Sequence, residues 1–398
     1  MEHKTRIKGN VHYVGVNDRN KHRFEGMWPL PYGVSYNSYL IDDEMVALVD
    51  TVDICYFEVY LRKIKQVIGE RPINYLIINH MEPDHSGSIR LIKQHYPEII
   101  IVGNKQTFGM IEGFYGVTGE QYLVKEGDFL ALGHHKLRFY MTPMVHWPET
   151  MMTFDETDGV LFSGDGFGCF GTVDGGFLDT RINVDKYWGE MVRYYSNIVG
   201  KYGSPVQKAL QKLGGLPISA ICSTHGPVWT ENIAKVIGIY DRLSRYDADE
   251  GVVIAYGSMY GNTEQMAEAI AEELSAQGVK NIVMHNVTKS HPSYIIADIF
   301  RYKGLIIGSP TYSNQIFPEV EALLSKILLR EVKGRYLGYF GSFTWAGDAV
   351  KRLAEFAEKS KFELVGDPVE MKQAMKDLTY TQCENLARAM ADRLKKDR

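Results

Sequence analysis

Two kinds of hydrophobic periodicity divide the chain. From about residue 11 to residue 240, short apolar runs are separated by turns marked with Gly, Pro and Asn, and amphipathic windows are few, residues 56–68 being a clear helical one. This half is predicted to be β-rich. The polar stretch Ser244-Arg245-Tyr246-Asp247-Ala248-Asp249-Glu250-Gly251 ends that pattern. Beyond it, apolar runs at 252–256, 282–287, 304–307, 336–340 and 362–365 alternate with helical windows, the first at 263–276. Parallel strands need helical crossovers, so the alternation predicts an α/β fold with a doubly wound parallel sheet. Two domains are expected, residues 1–249 and 250–398.

Composition narrows the function classes. A chain of 398 residues with 45% hydrophobic and 23% charged residues has the make-up of a globular protein, and it holds no apolar stretch long enough to span a bilayer. The N-terminus is charged and lacks the apolar centre of a secretory signal. A net charge of -5 gives phosphate-backbone recognition no electrostatic footing, so nucleic acid is not an expected partner. The four cysteines, Cys55, Cys169, Cys222 and Cys383, are too dispersed for CxxC metal or redox motifs. They are expected to be reduced thiols in a cytoplasmic protein.

Histidine and carboxylate positions carry the chemistry of the first half. The apolar run 75–79 leads directly into His80-Met81-Glu82-Pro83-Asp84-His85-Ser86-Gly87. A turn uses Asp, Gly or Pro for backbone reasons, but it has no use for two imidazoles and two carboxylates at one strand end. Three later apolar segments also end in ligand types: 137–144 leads to His146, 160–163 to Asp165 and 218–223 to His225. If these four strands lie side by side, their carboxyl ends gather seven donors, too many for one tetrahedral ion. Asp165 is the candidate bridge between two metals, which at a separation of about 3.5–4 Å hold two oxygen-type substrates or both ends of one bond.

The second half carries a phosphate loop. After the strand at 252–256 come Gly257-Ser258-Met259-Tyr260-Gly261-Asn262-Thr263 and a helix. Hydroxyls and free amides at a helix start suit a phosphate monoester without a lysine. The loop matches neither GxxxxGK[ST] nor GxGxxG, which favours flavin mononucleotide over nucleoside triphosphates or NAD. Two further loops follow apolar strands: Ser309-Pro310-Thr311-Tyr312-Ser313-Asn314 and Gly341-Ser342-Phe343-Thr344-Trp345-Ala346-Gly347. Each offers polar contacts and aromatic faces to a planar ring.

The first loop resembles the H-x-H-x-D-H signature of the metallo-β-lactamase fold family, with Glu82 in place of the second histidine. A carboxylate there hardens the site and favours iron over zinc. The later loops resemble flavodoxin, with Thr344 standing where such domains often carry glycine. Together, in this order, they resemble the flavodiiron proteins, also called A-type flavoproteins, over essentially the whole chain.

That resemblance implies an αββα sandwich followed by a flavodoxin-like domain. It also implies one iron on His80, Glu82, His146 and Asp165, and a second on Asp84, His85, Asp165 and His225; in some members the first of these histidines is left uncoordinated. Tyr194 is implied as a hydrogen-bond donor beside the open face, a core aromatic being the alternative. The implied activity is reduction of O2 to water, of NO to N2O, or both, with FMN as electron carrier. The implied donor is an external one, rubredoxin or a deazaflavin cofactor. The implied assembly is a head-to-tail homodimer or a dimer of dimers. A zinc hydrolase with an appended flavodoxin module is the alternative.

Overall fold

The structure, a computed structural model, describes residues 5–397. The chain forms two compact units, one up to Ser244 and one from Arg245 onward.

The first unit is built on two sheets. One has seven strands, among them Tyr39–Ile41 and Ala47–Val49, an antiparallel pair, with Tyr75–Ile77 and Ile100–Gly103 added in parallel. The other has five and includes Lys136–Met141, Met151–Asp155, Val160–Gly164 and Ala220–Ser223. The main core lies between them. Val49, Ile77 and Val102 from the first sheet cluster with Leu137, Phe139, Phe162 and Cys222 from the second, all essentially buried. Each of these strands turns alternate apolar side chains toward the opposing sheet, which is why a sandwich excludes water from both inner faces. Helices such as Phe57–Ile68 bury one stripe, Tyr60, Ile64 and Ile68, at helical spacing.

This arrangement corrects one expectation. The four strands preceding the metal-ligand candidates do not lie side by side. Tyr75–Ile77 belongs to the seven-stranded sheet, and the strands before His146, Asp165 and His225 belong to the five-stranded one. The ligand-bearing ends converge because two sheets stack face to face.

The second unit is a parallel sheet in the order Ile282–Asn286, Asp249–Tyr256, Tyr302–Tyr312, Tyr336–Phe343, with Glu363–Leu364 and Val369–Lys372 both pairing with the last of these. The strand expected at 304–307 is eleven residues long, because its end carries an antiparallel extension to Gln315–Ile316. The strand expected at 362–365 shrinks to two residues. Helices Asn262–Ala276 and Asp377–Lys395 cover one face, burying Met266, Ile270 and Leu274 with Leu386 and Met390. Strand order reverses between the first two crossovers, and ligands bind at such a switch point beyond the strand carboxyl ends.

Candidate functional site

Local structure brings each ligand candidate to the end of its strand. Asn79 is clamped after Tyr75–Ile77: its backbone N–H and its side-chain amide donate to the two oxygens of Asp50, at 2.8 and 3.0 Å, and its side-chain oxygen accepts from Thr153 at 2.8 Å. His80 follows at once. Pro83 then opens the short helix Pro83–Ser86, placing Asp84 and His85 on consecutive positions. Gly164, at φ +55°, turns the end of Val160–Gly164 so that Asp165 enters the interior. Beyond Ala220–Ser223, the Nδ1–H of His225 donates to the carbonyl oxygen of Ser35 at 2.8 Å, which leaves Nε2 as the free lone pair.

Asp165 divides its two oxygens between two groups of donors. Oδ2 lies 3.0 Å from Nε2 of His146 and 3.8 Å from Nε2 of His80. Oδ1 lies 3.3 Å from Nε2 of His85 and 3.6 Å from Nε2 of His225. Glu82 joins the first group, 3.2 Å from His146 and 3.7 Å from His80. Asp84 joins the second, its two oxygens 3.1 Å from His85 and 3.4 Å from His225. Donors bound to one ion at about 2.1 Å sit about 3.0–3.5 Å from one another, and spacings of 3.0 to 3.8 Å would suit two ions.

The electrostatics suit cations. Both oxygens of Asp84 and the Nε2 atoms of His85 and His225 are buried without a hydrogen-bond partner among the described residues, although they lie close together. Burial pushes the His85 imidazole down to about 3 and lowers His225 as well, so both present lone pairs. Burial, reinforced by the charges of Glu82 and Asp165, holds Asp84 well above the usual carboxylate range. Asp84, His85 and His225 together form a buried cluster that a metal ion would satisfy. In the other group, burial opposes ionisation, but hydrogen bonds to Asp165 and Glu82 raise His146 to about 9, and hydrogen bonds from His146 and His80 take Glu82 down to about 2. The residues fit a metal pair.

Around these donors stand Tyr194, expected from the resemblance, and further groups such as Thr224 and Glu149. Thr224 donates to Oδ1 of Asp165 at 2.5 Å and Tyr194 donates to Oδ2 at 2.8 Å. Tyr194 is fully buried, so it is both a core aromatic and a direct partner of the bridging candidate. Glu149 contacts His80, and Trp147 stands edge-on to the same imidazole. Glu149 lies three residues after His146 in the same loop, and that was its available signal. A third cluster of potential ligands, His135, Asp155 and Asp158, is accounted for by the hairpin it sits in: His135 pairs with Asp155 at 2.9 Å, and Asp155 accepts from the Thr157 amide. His22, His95 and His134 are exposed.

A pocket of about 680 Å³ opens onto Glu82 and Asp84, walled by Phe24, Ile54 and Phe114 and carrying Lys21, Glu25 and Arg90. In the second unit a cleft of about 370 Å³ is lined from all three expected loops. Ser258, Met259, Tyr260, Asn262 and Thr263 come from the first loop, Pro310, Thr311, Tyr312 and Asn314 from the second, and Ser342, Phe343, Thr344 and Trp345 from the third; Gln373 adds a contact from the last strand.

Gly261, Ser309 and Gly347, also expected to bind the cofactor, are not among the residues that line the cleft. Gly261, at φ +92°, forms the turn into the helix. The Ser309 hydroxyl is buried against Pro310 and Phe317. A Cβ on Gly347 would meet Glu370 at 2.6 Å. Thr263 and Ser342 share a hydrogen bond of 2.8 Å, which ties the first loop to the third, and Thr311 accepts from the amides of Asp348 and Ala349, which ties in the second. Ser258 Oγ accepts from the amides of Gly261 and Glu264 at the helix start. Tyr260 and Trp345 are 91% and 84% exposed, so neither is a packing residue within its unit. Amides, hydroxyls and flanking aromatics fit a phosphorylated planar ring.

Comparison with known proteins agrees with this geometry. Residues 34–226 match the model of the ODP family beta lactamases, and residues 254–385 match flavodoxin. The anaerobic nitric oxide reductase flavorubredoxin of Vibrio vulnificus is 32% identical over 90% of this chain and 73% of its own length. The rubredoxin oxygen:oxidoreductase of Desulfovibrio gigas superposes with a TM-score of 0.94 at 31% identity over 98% of both chains. The flavodiiron protein of Giardia intestinalis superposes with a TM-score of 0.91 at 26% identity, over 98% of this chain and 97% of its own. A metallo-β-lactamase-like domain that gathers two sets of candidate metal donors, a flavodoxin domain after it, and relatives aligned through both leave one assignment: the chain belongs to the flavodiiron proteins.

Proposed function

We propose that this protein reduces O2 to water, NO to N2O, or both, at two iron ions, using FMN and an external electron donor. When bound, the irons would hold and reduce the diatomic substrate while the flavin supplies electrons in pairs, four being needed for O2 and two for a pair of NO molecules. The observation that carries the reading is the division of Asp165, one oxygen to each group of donors. His80, Glu82 and His146 complete one set, and Asp84, His85 and His225 the other. Glu82, a carboxylate where hydrolytic relatives of the fold use histidine, supports iron chemistry over zinc hydrolysis. Anaerobic reduction of the purified protein, followed by rapid mixing with O2 and with NO in parallel, tests the function; a protein that contains iron and flavin yet reoxidises with neither gas rules it out.

The chain's own residues orient and screen. Tyr194 and Thr224 hold Asp165 from opposite oxygens, so its carboxylate cannot rotate toward one group alone. Tyr194→Phe is expected to lower turnover roughly tenfold, the cost of one hydrogen bond to a charged group, while iron content stays unchanged. Unaltered kinetics would leave Tyr194 as packing.

The pocket over Glu82 and Asp84 is far larger than a diatomic molecule needs, and its rim residues Ile54 and Phe114 are 54% and 52% exposed. Such a wall supports docking of a second copy's flavin edge, and hence a head-to-tail homodimer or a dimer of dimers. Rubredoxin is the proposed donor, with a deazaflavin as the alternative. No described helix is long and apolar enough to cross a membrane, and all four cysteines are free, which fits the proposed cytoplasmic location.

A further inference from the structure

Glu149 is a fully buried carboxylate beside the metal donors, yet it has no place in either ligand set. Its Oε1 accepts the backbone N–H of Met81 at 2.9 Å and lies 2.7 Å from Nδ1 of His80. An oxygen already receiving one N–H in a dry site receives the second as well, so the proton of this contact belongs to His80 Nδ1. The opposite nitrogen, Nε2, then faces the centre as the ring atom placed to ligate, 3.3 Å from Nε2 of His146 and within 4 Å of Glu82 and Asp165.

The Glu149 backbone is itself anchored, its carbonyl oxygen accepting from the Asn104 side chain at 2.6 Å. Glu149 follows His146 in the loop before Met151–Asp155, whereas His80 follows Tyr75–Ile77 in the other sheet. One carboxylate therefore ties together two of the three loops that would deliver the ligands of a single ion.

We propose that Glu149 is the positioning residue that makes His80 a metal ligand in this protein, by fixing the Nδ1-protonated tautomer and the ring orientation. A carboxylate behind a ligating imidazole also raises its basicity toward the metal. The inference rests on the two-metal reading above and decides the one ligand whose role varies within the resemblance.

The test uses the full chain stripped of metal and titrated anaerobically with ferrous ion, with 15N-histidine spectra recorded before metal is added. Glu149→Leu removes the acceptor. It is expected to weaken one of the two ferrous ions by about 10–100-fold and leave the other unchanged, and the affected ion is the one that His80→Leu also weakens. Glu149→Gln keeps an oxygen able to accept both N–H groups and should retain both ions within a few-fold of wild type.

In the spectra, His80 of wild type and of Glu149→Gln carries a proton on Nδ1, and that signal is lost in Glu149→Leu. Equal affinity for both ions in Glu149→Leu and wild type overturns the proposal, as does a wild-type His80 without a proton on Nδ1. Should Glu149→Leu not fold, the wild-type and Glu149→Gln spectra decide. A wild type that takes up fewer than two ions instead counts against the two-metal reading, and the tautomer still judges Glu149.

Discussion

Asp165→Ala should lower turnover by at least about a thousandfold and leave well under two irons per chain, with flavin content unchanged. The carboxylate is the one group here that addresses both sets of donors, at 3.0 Å on the His146 side and 3.3 Å on the His85 side. Without it, each ion loses a ligand and the two lose their shared negative charge, while three carboxylates become two against four imidazoles. The metals' electrostatic stabilisation of reacting groups amounts to several kcal/mol, and each 1.4 kcal/mol is a factor of ten in rate.

The substitution also leaves the hydroxyls of Thr224 and Tyr194 without their acceptor, at about 1–3 kcal/mol for each buried group. Asp165→Asn keeps an acceptor oxygen and separates the two effects: fold stability recovers and metal binding does not. Two irons per chain in Asp165→Ala, with turnover within tenfold of wild type, would remove Asp165 from the bridging role. Metal analysis, flavin absorbance and gas-consumption rates on one preparation are sufficient.

The second large effect is expected at the phosphate loop. Ser258→Asp should reduce FMN affinity by about three orders of magnitude while leaving the protein as stable as wild type or slightly more so. Ser258 Oγ already accepts from the amides of Gly261 and Glu264 at 3.1 and 3.4 Å, where the helix Asn262–Ala276 begins. A carboxylate is a better partner than a hydroxyl for those amides and for the positive end of the helix, so the apo fold gains a few tenths of a kcal/mol or more.

The same carboxylate faces the flavin phosphate as a like charge in a site that offers no lysine, and a like-charge contact of this kind costs several kcal/mol. Fluorescence titration with FMN and a thermal melt read the two effects separately. A variant that keeps its flavin through purification would place the phosphate elsewhere. Loss of stability in parallel with loss of flavin would mean that the loop, and not its charge, had been damaged.

Much of this site is legible in the chain because its chemistry is local. Four of the seven metal-ligand candidates fall within residues 80–85, and each of the others follows an apolar run. The loop Ser258 to Thr263 follows a strand and opens a helix, so its role is readable from the passage of a short continuous apolar run into a helical period. The parallel sheet of the second unit follows from its alternation of strands and helices.

Other parts depended on contacts that no local pattern encodes. The side-by-side arrangement expected for the ligand-bearing strands fails because alternation reports which face of a strand is apolar and not which sheet it joins. Ser309 looks like a cleft residue in the sequence, but the backbone turns its hydroxyl inward to Phe317.

What the sequence by itself determined is the set of donors, the loops that carry them and the alternation that builds each half, because these depend on neighbours a few residues apart. Tertiary structure alone decided how those donors are shared and oriented. The two oxygens of Asp165 meet different histidines, His80 meets Glu149 across 69 positions, and His225 meets Ser35 across 190. A proton's place on an imidazole, and the direction of the lone pair left behind, are set by whichever buried acceptor the packing of two sheets brings within hydrogen-bond distance, and periodicity along a chain carries no record of that distance.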